Sequence, residues 1–488
     1  MTESDSSSFR QRTLSGIGWT LASNVARQVL GFSIGILLAR LLGPEVLGLI
    51  GLVTVFTGFA AIYADLGLGA ALVQRSELTE KHFSSVFWVN LIGGAILTLL
   101  FAAASPAIAW FYEEPVLIPI TLALSFNFVI ASTGIIHGVR LTRALDFKTL
   151  AIVDLASTGA SGLVAVVMAL QGFEVWSLVG QAISQNVLRA GLLWIVSSWR
   201  PTRTLDLNAL KDLMGFSANL LGFTTLNYWT RNGDNLLIGK VLGSSALGLY
   251  GKAYSTMLFP VQNISGQISR VIFPAFSKIQ DDHARISRVY LQMTRVIALI
   301  TFPMMAGVAV VSEPFVLVLF GSEWAGMIDV LRVLSLIGLM QSIGTLNGNL
   351  FLATGRADLQ FRVGGTVGVL GLGAIAIGLQ WGILGVAIAY ATFSFCALWV
   401  QVHIAVSLVG LGVTAVVRNL ASVTAAAGVM ALLVLGVAQV TPETVPQWGR
   451  LASQVTVGAM TYLALVHIAK VPAYLEVRDL IREKTGRR

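Results

Sequence analysis

Charge is what this chain has least of. Only 11% of its 488 residues are Asp, Glu, Lys or Arg, against roughly 25% in a soluble domain, while 55% are hydrophobic and the mean hydropathy is +0.79. Water is not its main solvent. There is one cysteine, Cys396, inside a hydrophobic run, so no intrachain disulfide and no thiolate metal cluster can form. The five histidines, at 82, 137, 283, 403 and 467, are too scattered for metal-ligand spacing. No Walker-type phosphate loop is present, which excludes nucleotide hydrolysis by that route. No connection is long enough to form an aqueous domain that would carry catalytic carboxylates. Strand-like alternation over about ten residues, the mark of a transmembrane barrel, is missing as well.

What is present is uncharged length. Val46 to Ala64, Phe83 to Tyr112 and Asn419 to Pro442 carry no charge at all, and about 20 such residues suffice to cross a bilayer as a helix. The first apolar segment is too long for a signal-peptide core and has no evident small-residue cleavage site, so it is read as a retained first helix. The expected fold is an all-α polytopic membrane protein with about fourteen transmembrane helices. The spans fall at 14–41, 45–73, 83–111, 116–139, 149–171, 174–197, 213–239, 246–275, 287–311, 314–353, 360–380, 382–408, 415–440 and 449–470. Twelve spans are the chief alternative.

One phrase occurs twice, 200 residues apart. Residues 39–51 read ARLLGPEVLGLIG and residues 239–251 read GKVLGSSALGLYG; six of thirteen positions are identical, and Arg40 and Lys240 match in charge. Each copy lies between long apolar runs and reads as a tight turn joining two membrane helices, so the protein is an internal duplication. Arg143 to Lys148 is loosely echoed by Arg356 to Arg362. These offsets imply parallel repeats about an axis along the membrane normal. The expected parts are an N-terminal six-helix lobe (1–198), a linker (199–212), a second six-helix lobe (213–410), and two further helices with a basic tail (411–488).

Alternate connections are basic. With this helix assignment one side holds 22 cations and the other three, Arg40, Lys240 and Arg450. By the positive-inside rule both termini are cytoplasmic. The split also accounts for the net charge of +8 without nucleic acid. Glycine clusters such as Gly364-Gly365, Gly368, Gly371 and Gly373 read as close helix packing, with a hinge role as the alternative.

Charges inside spans are the informative residues, since each costs roughly 2.5–3.5 kcal/mol at a helix centre and by default faces protein or water. Arg27 is near the middle of the first span with Asn24 one turn away, and no carboxylate lies within a turn, so it needs a bound anion or a remote partner. Arg231 and Asp234 are three apart in the seventh span and share a helix face. They either pair with each other or contact a ligand. Arg189, Arg270, Asp65 and Asp154 lie closer to the cytoplasmic ends. Interface anchoring or inter-helix bonding competes there with a part in substrate binding, or in coupling and gating for the two aspartates. Arg332 has Asp329 within reach on its own segment. In-span cations outnumber in-span carboxylates by seven to four. That excess favours an anionic cargo, and diphosphate suits guanidinium forks.

In order and spacing, Leu38 to Pro44, Asp65 to Leu68, Ala71 to Arg75, Phe87 to Asn90, Asp234 to Lys240, Leu247 to Tyr250 and Phe273 to Ser277 carry a family likeness. The chain resembles the Wzx-type polysaccharide exporters of the multidrug/oligosaccharidyl-lipid/polysaccharide flippase superfamily, near the colanic acid and teichuronic acid branch. The C-terminal third matches mainly in hydropathy. The resemblance implies two six-helix lobes around a central cavity and alternating access. The cargo implied is a polyprenyl-diphosphate-linked glycan, moved across a bacterial inner membrane, with membrane lipid and the glycosyltransferases or polymerase of the pathway as partners. It implies no cofactor. Na⁺ or H⁺ coupling occurs in the superfamily, and no ion site carries over. A cation-coupled multidrug antiporter and a membrane-embedded polymerase or ligase are the alternatives. The first would need cavity carboxylates and the second a large periplasmic loop.

The charge split makes a direct expectation. A reporter fused after Arg488 will be cytoplasmic and one inserted at Glu113 periplasmic. Labelling of a Glu113→Cys variant from the cytoplasmic side would overturn the helix assignment.

Overall fold

The computed structural model describes the backbone of residues 3–75 and 77–485; the side chains of 3–22, 214–220, 223, 226, 270, 271, 477 and 480–485 are outside the described residues. The chain is helical with no strand among the described residues. In order the helices are α1 (Glu3–Ala64), α2 (Leu68–Gln74), α3 (Glu80–Tyr112), α4 (Leu117–Arg143), α5 (Phe147–Leu170), α6 (Val175–Val196) and α7 (Leu207–Ser277). There follow α8 (His283–Leu319), α9 (Ile328–Ala353), α10 (Ala357–Gly378), α11 (Gly382–Ser407), α12 (Val413–Val440), α13 (Gln447–Ile468) and α14 (Pro472–Thr485). Contacts divide the chain into two compact units, Met1–Gly248 and Leu249–Arg488.

The solvent of these helices is lipid. Among the described residues nine helical stretches are long and apolar enough to cross a bilayer. Val440, Trp110 and Ile195 are 82%, 81% and 78% exposed, which hydrocarbon tolerates and water would not. In hydrocarbon every backbone polar group must be satisfied within the chain, which is why the spans are helical. Inward hydroxyls follow the same rule. Ser132 Oγ donates to the Phe128 carbonyl and Thr98 Oγ1 to those of Gly94 and Ser125 in unit 1, and Thr301 Oγ1 to the Ile297 carbonyl in unit 2.

At 62 and 71 residues, α1 and α7 are too long for one crossing, given a rise of 1.5 Å per residue and a core of about 30 Å. Each is broken at the glycine of the repeated phrase. Gly43 has φ 72° and ψ 174°, and Gly243 has φ 85° and ψ 179°, a conformation that essentially only glycine adopts. Dividing α1 and α7 there yields the expected fourteen spans.

The two turns, both in unit 1, also pack on one another. Gly48 lies under the Ser244 carbonyl and Gly248 under the Pro44 carbonyl, at distances that leave no room for a Cβ. Adding 200 to Gly48 and subtracting it from Ser244 converts the first contact into the second. Such reciprocity is what a twofold relation between identical pieces produces. Beside it, Lys240 Nζ donates to Glu113 Oε1 at 2.8 Å and stands 5.4 Å from the centre of the Phe111 ring. The hydrogen bond from Lys240 holds the Glu113 carboxyl below the usual carboxylate range. A depressed acid stabilises above its unfolded value, so this tie is present at neutral pH and lost as pH falls through the lowered one.

Two boundaries differ from those expected. The second span does not continue to residue 73. It ends at Ala64, and Leu66 (φ 50°) and Gly67 (φ 70°) turn the chain into the short α2. Asp65 holds that turn by accepting from the Gly69 N–H at 3.1 Å and from Asn90 Nδ2 at 3.0 Å. The ninth span does not stop at 311 either. It runs to Leu319 through Ser312-Glu313-Pro314, because Arg332 of α9 donates to Ser312 Oγ at 2.9 Å and pairs with Glu313 at 3.7 Å. Arg332 also pairs with Asp329 at 2.8 Å, as expected. In unit 2 the buried Val471 and Ala473 dock the start of α14 on the core, and Glu476 pairs with Arg295 of α8 at 3.4 Å.

A methyl group at residue 48 has to separate the two turns. Gly48→Ala should lower thermal stability in detergent by about 1–3 kcal/mol. Gly31→Ala, with open space around it, should leave it unchanged or raise it. Equal melting points for the two variants would count against the reciprocal contact.

Candidate functional site

The intramembrane charges of unit 1 converge on one carboxylate. Asp154 of α5 accepts from Arg189 Nε of α6 at 2.8 Å, and its other oxygen lies 3.5 Å from Arg27 Nη1 of α1. The remote partner that Arg27 needs is therefore Asp154, 127 residues away in the chain. That carboxylate is shared, so the cluster carries two positive charges against one negative. The two bonds are unequal. At 2.8 Å the Arg189 contact is a charge-assisted hydrogen bond, whereas 3.5 Å is the outer limit of one. Arg27 also donates to Asn24 Oδ1, at a loose 3.4 Å, and its side chain is 44% exposed. A guanidinium has five N–H donors. Only two of the donors of Arg27 are engaged, both weakly, among the described residues.

One turn earlier on α6, Asn186 turns toward α4. Its Nδ2 donates to Asn127 Oδ1 and to the Ala182 carbonyl, both at 3.1 Å. The pair stands on the wall of a cavity of about 380 Å³ enclosed by the second arm of α1, α4 and α6. This is within the roughly 300–1,000 Å³ of small-molecule sites. The cavity is mostly apolar; Thr54, Thr57, Asp65, Asn127 and Asn186 are its polar lining. Beside it Tyr228 of α7 donates to the Val55 carbonyl at 2.6 Å and packs on Phe59, which also meets Trp229 at 4.9 Å between ring centres. Tyr63 and Thr225 share a hydrogen bond of 2.9 Å on the same interface.

The other expected site residues lie elsewhere. Arg231 and Asp234 do not pair: Arg231 is exposed, and the buried Asp234 accepts from the Asn235 backbone N–H at 2.8 Å. Among the described residues no contact joins Arg231 to the Arg27–Asp154–Arg189 cluster. Asp65 lines the cavity, with its carboxylate engaged by Gly69 and Asn90 as described above. The side chain of Arg270 lies outside the described residues. Among the described residues no group of three His, Cys, Asp or Glu side chains could hold a metal ion. Asn127 and Asn186 were not foreseen. Neutral amides escape a search for charge, although Ser184-Gln185-Asn186 inside a span was a readable polar cluster.

A helical membrane bundle with a cationic, partly exposed cluster beside an apolar cavity is the build of a transporter for amphipathic cargo. Residues 37–329 match the model of the polysaccharide biosynthesis protein family, and the chain belongs to that family. It is 31% identical to the teichuronic acid biosynthesis protein TuaB of Bacillus subtilis, over 98% of this chain and 99% of that one. It is also 31% identical to the succinoglycan biosynthesis transport protein ExoT of Rhizobium meliloti, over 66% of this chain and 65% of that one. Among solved structures, the lipid II flippase MurJ in an inward closed conformation superposes with a TM-score of 0.73, at 14% identity, covering 95% of this chain and 99% of that one. The resemblance to exporters of the teichuronic acid branch is borne out, as is the expected transporter fold.

If Asp154 offsets two guanidiniums, the three residues are energetically coupled. Asp154→Asn should destabilise the protein by about 1 kcal/mol, because the groups are partly exposed. Adding Arg189→Gln should restore most of that loss. A double-mutant cycle in thermal unfolding that shows strict additivity would contradict the shared carboxylate.

Proposed function

We propose that this protein moves a polyprenyl-diphosphate-linked oligosaccharide from the cytoplasmic to the periplasmic leaflet of a bacterial inner membrane by alternating access. The observation that carries this reading is the excess positive charge of the Arg27–Asp154–Arg189 cluster, in which Arg27 holds the shared carboxylate by the longer bond. Arg189 and Asp154 neutralise one another, which leaves Arg27 with one net positive charge and free N–H donors. A diphosphate supplies fixed negative charge and oxygens spaced for bidentate bonds, and the planar fork of arginine matches them better than an ammonium does. The names of the relatives support transport in glycan assembly: one is a transport protein of succinoglycan biosynthesis, and the solved neighbour is a flippase of a lipid-linked precursor. The charge split between connections supports cytoplasmic termini, with the basic tail facing the side where glycosyltransferases act. We further assign the duplicated six-helix segments, 1–198 and 213–410, as the two lobes, and Arg231 and Arg270 as secondary contacts to the cargo. A multidrug antiporter is disfavoured because the site holds an excess of cations where cationic drugs would need carboxylates.

Arg27 is the test. Arg27→Ala leaves a neutral Arg189–Asp154 pair, so the protein should insert at its normal level while glycan export falls at least about tenfold. Lipid-linked oligosaccharide should accumulate on the cytoplasmic face. Arg27→Lys keeps the charge without the fork and should retain intermediate export. Undiminished export by a normally expressed Arg27→Ala protein would end this assignment.

A further inference from the structure

The hydrogen-bond donors that line the cavity in unit 1 are almost all committed, and the one that remains is specific. Thr54 Oγ1 donates to the Gly51 carbonyl at 3.0 Å and Thr57 Oγ1 to the Val53 carbonyl at 3.2 Å, so neither hydroxyl proton is free. The Asp65 carboxylate is occupied by the Gly69 N–H and Asn90 Nδ2. Both N–H groups of the Asn186 amide are used, one on the Ala182 carbonyl and one on Asn127 Oδ1. The Ala182 carbonyl can only accept, so it fixes which end of the Asn186 amide is nitrogen. That in turn fixes Asn127 with its oxygen toward Asn186. Two groups are left without a partner among the described residues, the Asn127 Nδ2 donor and the Asn186 Oδ1 acceptor. Both residues stand on the wall of a cavity whose lining also includes Ala61, Ala131, Ala182 and Phe128.

We propose that this cavity receives an acetamido group of the glycan, with Asn127 Nδ2 donating to the acetamido carbonyl and the acetamido N–H donating to Asn186 Oδ1. The inference rests on the transport reading above and names a sugar class for it. An acetamido group brings one acceptor, one donor and a methyl, which answers one amide donor, one amide acceptor and a wall of alanines. A hexose carrying only hydroxyls would bring several donors to a mostly apolar lining whose remaining acceptors are Asn186 Oδ1 and the spare lone pairs of Asp65, Thr54 and Thr57, and it has no methyl to set against the alanines. The diphosphate cluster begins one helical turn away on α6, at Arg189, so one helix presents the anion site and the sugar site in sequence.

The test compares three short-chain probes on the purified full-length protein: farnesyl diphosphate, farnesyl-diphosphate-glucose and farnesyl-diphosphate-N-acetylglucosamine. The wild type should bind the acetamido sugar about tenfold more tightly than glucose, the scale expected for two hydrogen bonds that only one ligand completes. Asn127→Leu should reduce that ratio to about two or less. Ala182→Leu, which fills the cavity and leaves both asparagines in place, should do the same and guards against misfolding of the first variant. Affinity for farnesyl diphosphate should be unchanged in both. A wild-type ratio within about twofold, or a ratio that survives both substitutions, would overturn the acetamido site and leave the diphosphate reading intact. Failure of the wild type to bind any of the three probes would overturn both.

Discussion

The close approach of the two repeated turns organises unit 1. Backbone can meet backbone at Gly48 and Gly248 only because neither carries a Cβ, and each glycine receives the carbonyl that stands at the equivalent place in the other copy. The second arm of α1 and the first arm of α7 leave this contact side by side and stay together through Tyr228 on Val55 and Tyr63 on Thr225. That places residues 50–64 of α1 as one wall of the cavity, with α4 and α6 as the others. The geometry of the polar site thus descends from a packing event at two glycines.

Electrostatics then gives the site its sign. A lone guanidinium in hydrocarbon is unfavourable, and a guanidinium–carboxylate pair is neutral. Two guanidiniums on one carboxylate form a state between these, stable enough to fold and still short of negative charge. The unequal bonds, 2.8 Å to Arg189 and 3.5 Å to Arg27, make Arg189 the tighter partner and leave Arg27 the looser one. The cluster keeps one positive charge beyond a neutral pair, and the proposed diphosphate would answer that charge.

Much of this was readable from the residues. Uncharged runs marked the spans, and the doubled phrase marked both the duplication and the two glycine breaks. Arg27 stood out because its carboxylate was not local. The joining of Arg27, Asp154 and Arg189 was not readable, since their separations of 127 and 35 residues encode no distance in space. The ninth span was expected to end at 311, before Ser312-Glu313-Pro314; Arg332 partners the polar pair from the next helix, and the helix continues. Asn127 and Asn186 were silent for a different reason. An amide is inexpensive to place in a span once it is paired, so its presence raises no alarm until the pairing is seen to be incomplete.

The offset of 200 residues between the turns also has a meaning in time. At roughly 5–20 residues per second of synthesis, the first turn exists for about 10–40 seconds before the second is made. During that interval Gly48 has no counterpart, and the hairpin of α1 must keep its bend unaided. Pro44 is well suited to holding it, because at the first position of a helical arm proline pre-sets the backbone angle and forfeits only an N–H that the helix leaves unpaired. The second copy has Ser244 instead, and it is made when its partner surface is already waiting.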